Sequence, residues 1–222
     1  MLAGHQKQRV FPVIRYITAD ALTQEPRLRD SMLRDRACQF STRLGWDVQV
    51  DAHGHEHDEY DAENPLYVIW VLPDGTHGGS MRLLPTTGRT MVNDHFGHLL
   101  TGGPVASPFI WECTRFCLSE TAPRGVAAAL MLAGGEVMRA FSLTDLLGVF
   151  DARMVRIYRA IGASPTVLGA AGEGREKISV GLWKFRPEDR AKVLRRAGLS
   201  SQISEHWFER SFAHPINRKI AA

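Results

Sequence analysis

Nine side chains between Arg36 and Arg115 are of kinds that can do chemistry together: the guanidiniums of Arg36, Arg82 and Arg115, the carboxylates of Asp58, Asp61 and Glu112, and the rings of Phe40, Trp46 and Phe96. They are interleaved with runs apolar enough to be core. A charge isolated in a core is prohibitively costly, so carboxylates and guanidiniums that converge there must pair, and a paired polar cleft is where chemistry can be arranged. A partly desolvated carboxylate has a raised pKa and can take a proton from an ammonium. That makes Glu112 a candidate general base, acting directly or through a water. Its alternative role is an ion pair with an arginine that only organises the cleft.

The elements that must position these groups follow from periodicity. Residues 20–44 carry Leu22, Leu28, Met32, Leu33, Cys38 and Phe40 among many charges, a helical pattern that Pro26 interrupts or starts and that ends at Leu44-Gly45-Trp46. Val48 and Val50 suggest a short strand, and the HGHEHDEYDAEN stretch after it reads as a solvated polar loop. Residues 66–72 are almost wholly apolar, Asp74-Gly75 is a turn signal, and residues 80–84 return as the second strand of a hairpin. Strand side chains alternate, so Arg82 shares a face with Ser80 and Leu84, away from Met81 and Leu83. Residues 109–118 predict another strand, with Glu112 and Thr114 on one face and Arg115 on the other unless a bulge or strand end joins them. A helix over 124–141, a buried strand over 143–150, a helix over 151–162 stopped by Gly162, a strand over 177–185 and a helix opened by Pro187 follow, and the last twenty residues read as peripheral. The alternation predicts an α/β fold over 1–222 as a single domain, with a central mixed β-sheet flanked by helices.

Composition narrows the function classes. A chain of 222 residues, 44% hydrophobic, can bury one sizeable core but is short for two domains. Lys plus Arg (27) against Asp plus Glu (24) gives a net charge of +3, too mild to imply a nucleic-acid partner. No run approaches the roughly 18 apolar residues of a membrane span, and the N-terminus lacks a signal-peptide core, so a cytoplasmic location is expected. Cys38, Cys113 and Cys117 read as reduced, buried thiols without metal-type spacing or an adjacent base. His53, His55 and His57 alternate with Glu56 and Asp58 in a way that could gather a metal, but the segment is loop-like and shows no distant fourth ligand, so no metal site is expected.

Arg36-x3-Phe40, Trp46 six residues on, Asp58-x-Tyr60-Asp61, Arg82, Phe96 and Glu112-Cys113-Thr114-Arg115, taken in order, resemble the signature of the LuxI-type acyl-homoserine-lactone synthases, the autoinducer synthases of bacterial quorum sensing. The resemblance implies a GNAT-like fold, with residues 1–45 as an N-terminal helical lid region. It also implies an acyltransferase that moves an acyl group from a thioester, on acyl-carrier protein or acyl-coenzyme A (acyl-CoA), to the amine of S-adenosylmethionine; lactonisation then expels methylthioadenosine. Adenosylmethionine is a substrate in that scheme, and no cofactor is implied. Glu112, Arg115, Asp61 and Arg82 would take the catalytic positions. Arg36, Phe40, Trp46, Asp58, Phe96 and Thr114 would bind adenosylmethionine and shape the cleft.

The resemblance puts the acyl pocket on the later strands and helices, where Met131, Leu146, Gly148 and Trp183 are candidates, although all are ordinary core types too. Members that prefer 3-oxo chains carry a threonine at or near the position of Gly148, unless Thr144 is the matching residue. A missing hydroxyl there points to an unsubstituted chain. On a wheel of the 151–162 helix, Arg153, Arg156 and Arg159 lie on one side and Met154, Ile157, Tyr158 and Ile161 on the other. The basic stripe would attract an acidic carrier protein, or is simply a solvated face. Two other readings stay open: a GNAT-like N-acyltransferase acting on another amine, and a non-catalytic carrier-protein-binding module.

Overall fold

The computed structural model describes residues 12–184 and 186–213. In chain order its elements begin with β1 (Val13–Thr18), α1 (Ala19–Leu22) and α2 (Pro26–Ala37), whose helical path continues as a wider turn over Cys38–Arg43. A small hairpin of β2 (Gln49–Val50) and β3 (Glu56–His57) precedes β4 (Leu66–Val71), β5 (His77–Pro85) and α3 (Met91–His95). Then come β6 (Ile110–Leu118), α4 (Val126–Ala140), β7 (Asp145–Asp151), α5 (Ala152–Ile161), β8 (Thr166–Ala171), β9 (Ile178–Lys184), α6 (Pro187–Ala197) and α7 (Ser201–Phe212).

Seven strands form one mixed sheet in the order β1-β4-β5-β6-β7-β9-β8. β4 lies inside it, buried on both faces, which is why its sequence shows no alternation. Leu66, Val68 and Trp70 pack with α4, while Tyr67, Ile69 and Val71 pack with α1 and α2. Helix α4 can approach closely because it is rich in small residues; a Cβ at Gly134 would stand 3.1 Å from Met81 Cε. All pairings are antiparallel except β6 with β7. That parallel pair holds for only three residues each, Ile110 to Glu112 against Asp145 to Leu147. Beyond Glu112 and Leu147 the two strands part, and a wedge opens in the middle of the sheet.

Several expectations change. The segment 1–45 is not helical throughout, because residues 13–18 are a strand paired with β4, and the helix expected over 20–44 is broken, with Pro26 starting α2 at its first turn. The edge strand β8 was not expected at all; it is mostly exposed and holds Gly169, so its sequence lacks an alternating apolar face. The C-terminal segment is not peripheral as far as it is described, since Trp207, Phe208 and Phe212 of α7 seal the core and Phe208 meets Tyr16 edge-on at 4.9 Å. The polar stretch after Val50 is not wholly solvated either: His55, Glu56 and Tyr60 are buried. Of the cysteines Cys117 is buried, whereas Cys38 and Cys113 are partly exposed, and all three are free. No helix among the described residues is long and apolar enough to cross a membrane.

Candidate active site

Local turn chemistry explains the Asp58-x-x-Asp61 spacing. Asp58 caps the short helical turn Glu59–Glu63: its side chain accepts the Tyr60 N–H (3.0 Å), while the Asp61 side chain reaches back to the Asp58 N–H (3.1 Å). Two carboxylates are thereby aimed into the fold. Arg36, in the last turn of α2, clasps Asp61 with both terminal nitrogens (3.0 Å each) and donates its Nε to Glu56. Arg82 of β5 donates to both oxygens of Asp58, to Asp61 Oδ1 (2.7 Å) and, through Nε, to the Thr114 hydroxyl (3.0 Å). Arg115 closes the set on Glu56 (2.9 Å) and Asp58 (2.8 Å).

Arg36, Arg82 and Arg115 thus alternate with Glu56, Asp58 and Asp61, and their formal charges cancel. Burial opposes every one of these charges, so the network is stable only as a set. Against burial, Asp61 and Glu56 hold Arg36 above the ordinary guanidinium range, and Asp58 and Asp61 do the same for Arg82. In the reverse sense Arg36 and Arg82 keep Asp61 well below the usual carboxylate range, and Arg82 and Arg115 lower Asp58, again despite burial.

Thr114 and Arg115 both serve this network because the strand is irregular. Arg82 faces Thr114 and Ser80 faces Cys117, so β6 carries one residue more than β5 between those pairs, and Arg115 adopts a left-handed φ of 50°. This is the bulge that a regular alternation would have required.

Glu112 is fully buried. It makes no ion pair among the described residues; its two oxygens accept the N–H groups of Met91 (3.0 Å) and Val92 (2.6 Å) at the start of α3. The alternative role as an arginine's partner is therefore overturned. Burial pushes its carboxyl above the ordinary range, although the two N–H donors and Arg82 pull the other way. The arginines' partner is Glu56, which the sequence reading placed in a solvated loop. A signal was there: Glu56 and Asp58 are two residues apart in an extended segment and so share a face.

A cavity of about 420 Å³ fills the wedge between β6 and β7. At one end stand Thr114, Arg115, Met91, Phe96, Phe40 and Trp46. Phe40 and Trp46 stack with centroids 5.3 Å apart, and the Arg115 guanidinium lies 5.4 Å from the Phe40 centroid, so a flat aromatic pair ends in a cation. The other end is apolar, with Met131 from α4, Leu146 and Phe150 from β7, Met154 and Tyr158 from α5, and Trp183 from β9. Met131, Leu146 and Trp183 also line a second cavity of about 100 Å³. Trp183 is held there by a hydrogen bond from its Nε1 to the Ala163 carbonyl (3.0 Å) and by edge contacts with Phe150 and Tyr158.

Arg36, Asp58, Asp61, Arg82 and Glu112 are brought together but stand behind the cavity walls. Gly148 is not a wall residue either. A Cβ there would come within 2.9 Å of the Cys113 carbonyl and 3.2 Å of the Trp183 ring, so the glycine makes room for the indole. Arg153 does line the cavity, tied to Asp151, whereas Arg156 and Arg159 are exposed on α5; Ile157, expected on the covered side, is 40% exposed. Burial pushes the Cys113 thiol up to about 12, so it is no thiolate nucleophile at neutral pH. Among the described residues, the histidine and carboxylate group close enough to share a metal is Asp51, His55 and His57 on the β2–β3 hairpin, outside the cavity walls.

The model of a family described as autoinducer synthase matches residues 20–196. An acyl-homoserine-lactone synthase of Rhizobium etli is 40% identical over 200 residues, which cover 87% of this chain and 93% of that protein. Among solved structures the fold is similar to BjaI, described as a CoA-dependent acyl-homoserine lactone synthase with SAM and isopentyl-CoA (TM-score 0.75, 22% identity, 86% of this chain and 91% of that one). It is also similar to MesI, another described as CoA-dependent (TM-score 0.74, 24% identity, 86% and 97%). The GNAT-like α/β architecture expected from the sequence is borne out.

Proposed function

The chain belongs to the autoinducer synthase family and is an acyl-homoserine-lactone synthase, and we propose that its cleft holds S-adenosylmethionine at the charged, aromatic end and the acyl chain of a thioester at the apolar end. The observation that carries this reading is the wedge itself, a cavity with a cation and stacked rings at one mouth and an apolar recess at the other. Phe40 and Trp46 suit an adenine or a sulfonium. Arg115 suits the substrate carboxylate, because it is the network arginine that reaches the wall. Arg36, Arg82, Asp58 and Asp61 then act as positioning residues that fix Arg115 and Thr114. On the sides facing each other, β6 beyond Glu112 and β7 beyond Leu147 have no strand partner. Their backbone amides can hold the extended arm of the thioester donor.

Held in contact, the deprotonated amine attacks the thioester carbonyl; the C–N bond forms, the C–S bond breaks and the thiolate leaves with a proton. The substrate's carboxylate oxygen then attacks its own carbon next to the sulfonium, forming the lactone C–O bond as the C–S bond breaks and methylthioadenosine departs. Glu112, with its raised pKa and no exposed surface, receives the ammonium proton through a water rather than by direct contact. The acyl donor is coenzyme A or a carrier protein, and the exposed Arg156 and Arg159 beside the cavity residue Arg153 would dock an acidic carrier. Such donors and adenosylmethionine are intracellular, which puts the reaction in the cytoplasm.

The test is chromatography of purified protein with adenosylmethionine and a series of acyl-CoA and acyl-carrier-protein donors. Methylthioadenosine and an acyl lactone in equal amounts are expected. Acylated product and free thiol without methylthioadenosine would instead mark an acyltransferase acting on another amine.

A further inference from the structure

The β2–β3 hairpin carries a group of side chains that the reaction does not use. Asp51, in the turn after β2, has one carboxylate oxygen fixed, since its Oδ1 accepts the backbone N–H of His53 (2.8 Å) and of His55 (2.9 Å). The other oxygen, Oδ2, is left facing two imidazoles, with His57 Nε2 at 3.5 Å and His55 Nδ1 at 3.8 Å. One ligand atom from each of the three residues falls within 4.8 Å of the others. In a tetrahedral zinc site with bonds near 2.0–2.1 Å, neighbouring ligand atoms stand roughly 3.3 Å apart, so Asp51 would close on each imidazole by about half an ångström or less, and the two imidazoles on each other by about 1.5 Å at most. His55 adds a second, independent observation. Its side chain is more than nine-tenths buried, and the ring nitrogen aimed at the site, Nδ1, stops beyond hydrogen-bond distance of Asp51 and neither accepts nor donates a hydrogen bond among the described residues; Nε2, on the far side of the ring, also lacks a partner and points away from the site. A buried imidazole without a hydrogen bond is costly and calls for a reason.

We propose that Asp51, His55 and His57 form a binding site for one divalent transition-metal ion of the zinc type, with the fourth position open to water. Two imidazoles and a carboxylate suit zinc, and are too few in oxygen and too rich in nitrogen for magnesium or calcium. The carboxylate is already oriented by backbone donors, so part of the ordering cost is met before the ion arrives. The site also has a consequence for the fold. Glu56 sits between His55 and His57, so it projects from the opposite face of β3 and is gripped there by Arg36 and Arg115. An ion on the outer face would pin the hairpin that supplies Glu56 to the buried network. The role is structural and needs no step of the acyl transfer, so it stands or falls separately from the proposed function.

The experiment is isothermal titration of the full chain, without a histidine tag, with zinc chloride and in parallel with magnesium chloride, alongside thermal melts with zinc and with chelator. The wild type should bind one zinc ion per chain, ignore magnesium, and melt higher with zinc than with chelator. Asp51→Asn keeps an acceptor for the turn and His57→Gln alters a half-exposed residue outside the arginine network, so both variants should fold. Each should weaken zinc binding by at least about tenfold, since loss of a ligand costs no less than loss of a residue supporting one. Wild-type zinc binding in the Asp51→Asn/His57→Gln double variant would place the ion elsewhere, and absence of zinc binding to the wild type would equally overturn the proposal.

Discussion

The two ends of the cleft are built on opposite plans. At the charged end, Arg36, Arg82 and Arg115 are each fixed by at least two carboxylate contacts, and two of those carboxylates, Asp58 and Asp61, are fixed in turn by backbone donors of the turn they cap. At the apolar end, Met131, Leu146, Met154 and Trp183 line the recess with side chains that offer only non-directional contacts, apart from the Trp183 Nε1 hydrogen bond to the Ala163 carbonyl. The first end is determined many times over; the second is determined by volume. A set of paired buried charges tolerates no single loss, because each removal strands a partner, whereas an apolar wall can change shape at modest cost. The charged end, proposed to hold adenosylmethionine, should therefore be brittle, and the apolar end, proposed to hold the acyl chain, pliable.

The hardest blow to that contrast would come from Arg82→Ala. It leaves Asp58 and Asp61 buried without their main partner, and should lower the unfolding free energy by about 3–5 kcal/mol in denaturant titrations. Methylthioadenosine release should fall by roughly a hundredfold or more, since displacement of a positioning group by an ångström has that effect. Lysine at the same place should not restore it, because a point charge cannot make the forked contacts. The same network sets the acid limit. Asp61 is depressed in the folded state, so its contribution is present above its ordinary pKa and is lost as pH falls, below about 4, toward the folded value. Asp61→Asn should flatten that slope in stability measured against pH.

Glu112 tests the boundary between the two ends. Its raised pKa has the opposite linkage sign: the folded state binds the proton more tightly, so stability falls as pH rises from the ordinary carboxylate value through the raised one. Glu112→Gln should remove that dependence and cost about 1–3 kcal/mol through the mismatched contact with the Met91 and Val92 amides. If the carboxylate also relays the ammonium proton, the acid limb of the kcat profile disappears with it. A limb that persists unchanged in the variant would leave Glu112 as an anchor for α3 and nothing more.

At the apolar end the effects should be smaller and directional. Trp183→Leu removes the largest shared wall between the two cavities and should shift kcat/KM toward longer acyl chains, by a factor of roughly ten relative to the wild-type preference, measured across a donor series. Smallest of all is the exposed stripe on α5. Arg156→Glu with Arg159→Glu should leave stability within about 0.5 kcal/mol and acyl-CoA turnover unchanged, while raising KM for carrier-borne donors severalfold. Equal effects on both donors would detach the stripe from carrier docking.

Some of this was legible residue by residue. The pattern of Ser80, Arg82 and Leu84 against Met81 and Leu83 gave the correct faces of β5, because alternation on a strand is a local rule. Asp58 and Asp61 were readable as a pair three apart, although not that each would cap the turn carrying the other. Glu56 was hidden by its polar neighbours: a sequence window reports average hydrophilicity, not that one carboxylate of a hairpin points inward. Helix α7 was hidden for a related reason, since Trp207, Phe208 and Phe212 become core only when Tyr16 and Phe141, far away in the chain, are put beneath them.

The order and chemical types of Arg36, Asp58, Asp61, Arg82, Glu112 and Arg115 by themselves determined that a buried charged cleft must exist and which family it resembles, because unpaired charges cannot enter a core. Which carboxylate meets which guanidinium was decided only by tertiary structure. The bulge that turns Arg115 toward Glu56, the capture of Glu112 by the first turn of α3, and the parting of β6 from β7 all depend on register between segments distant in sequence. No local pattern encodes that register; it is set when both faces of the sheet are packed at once.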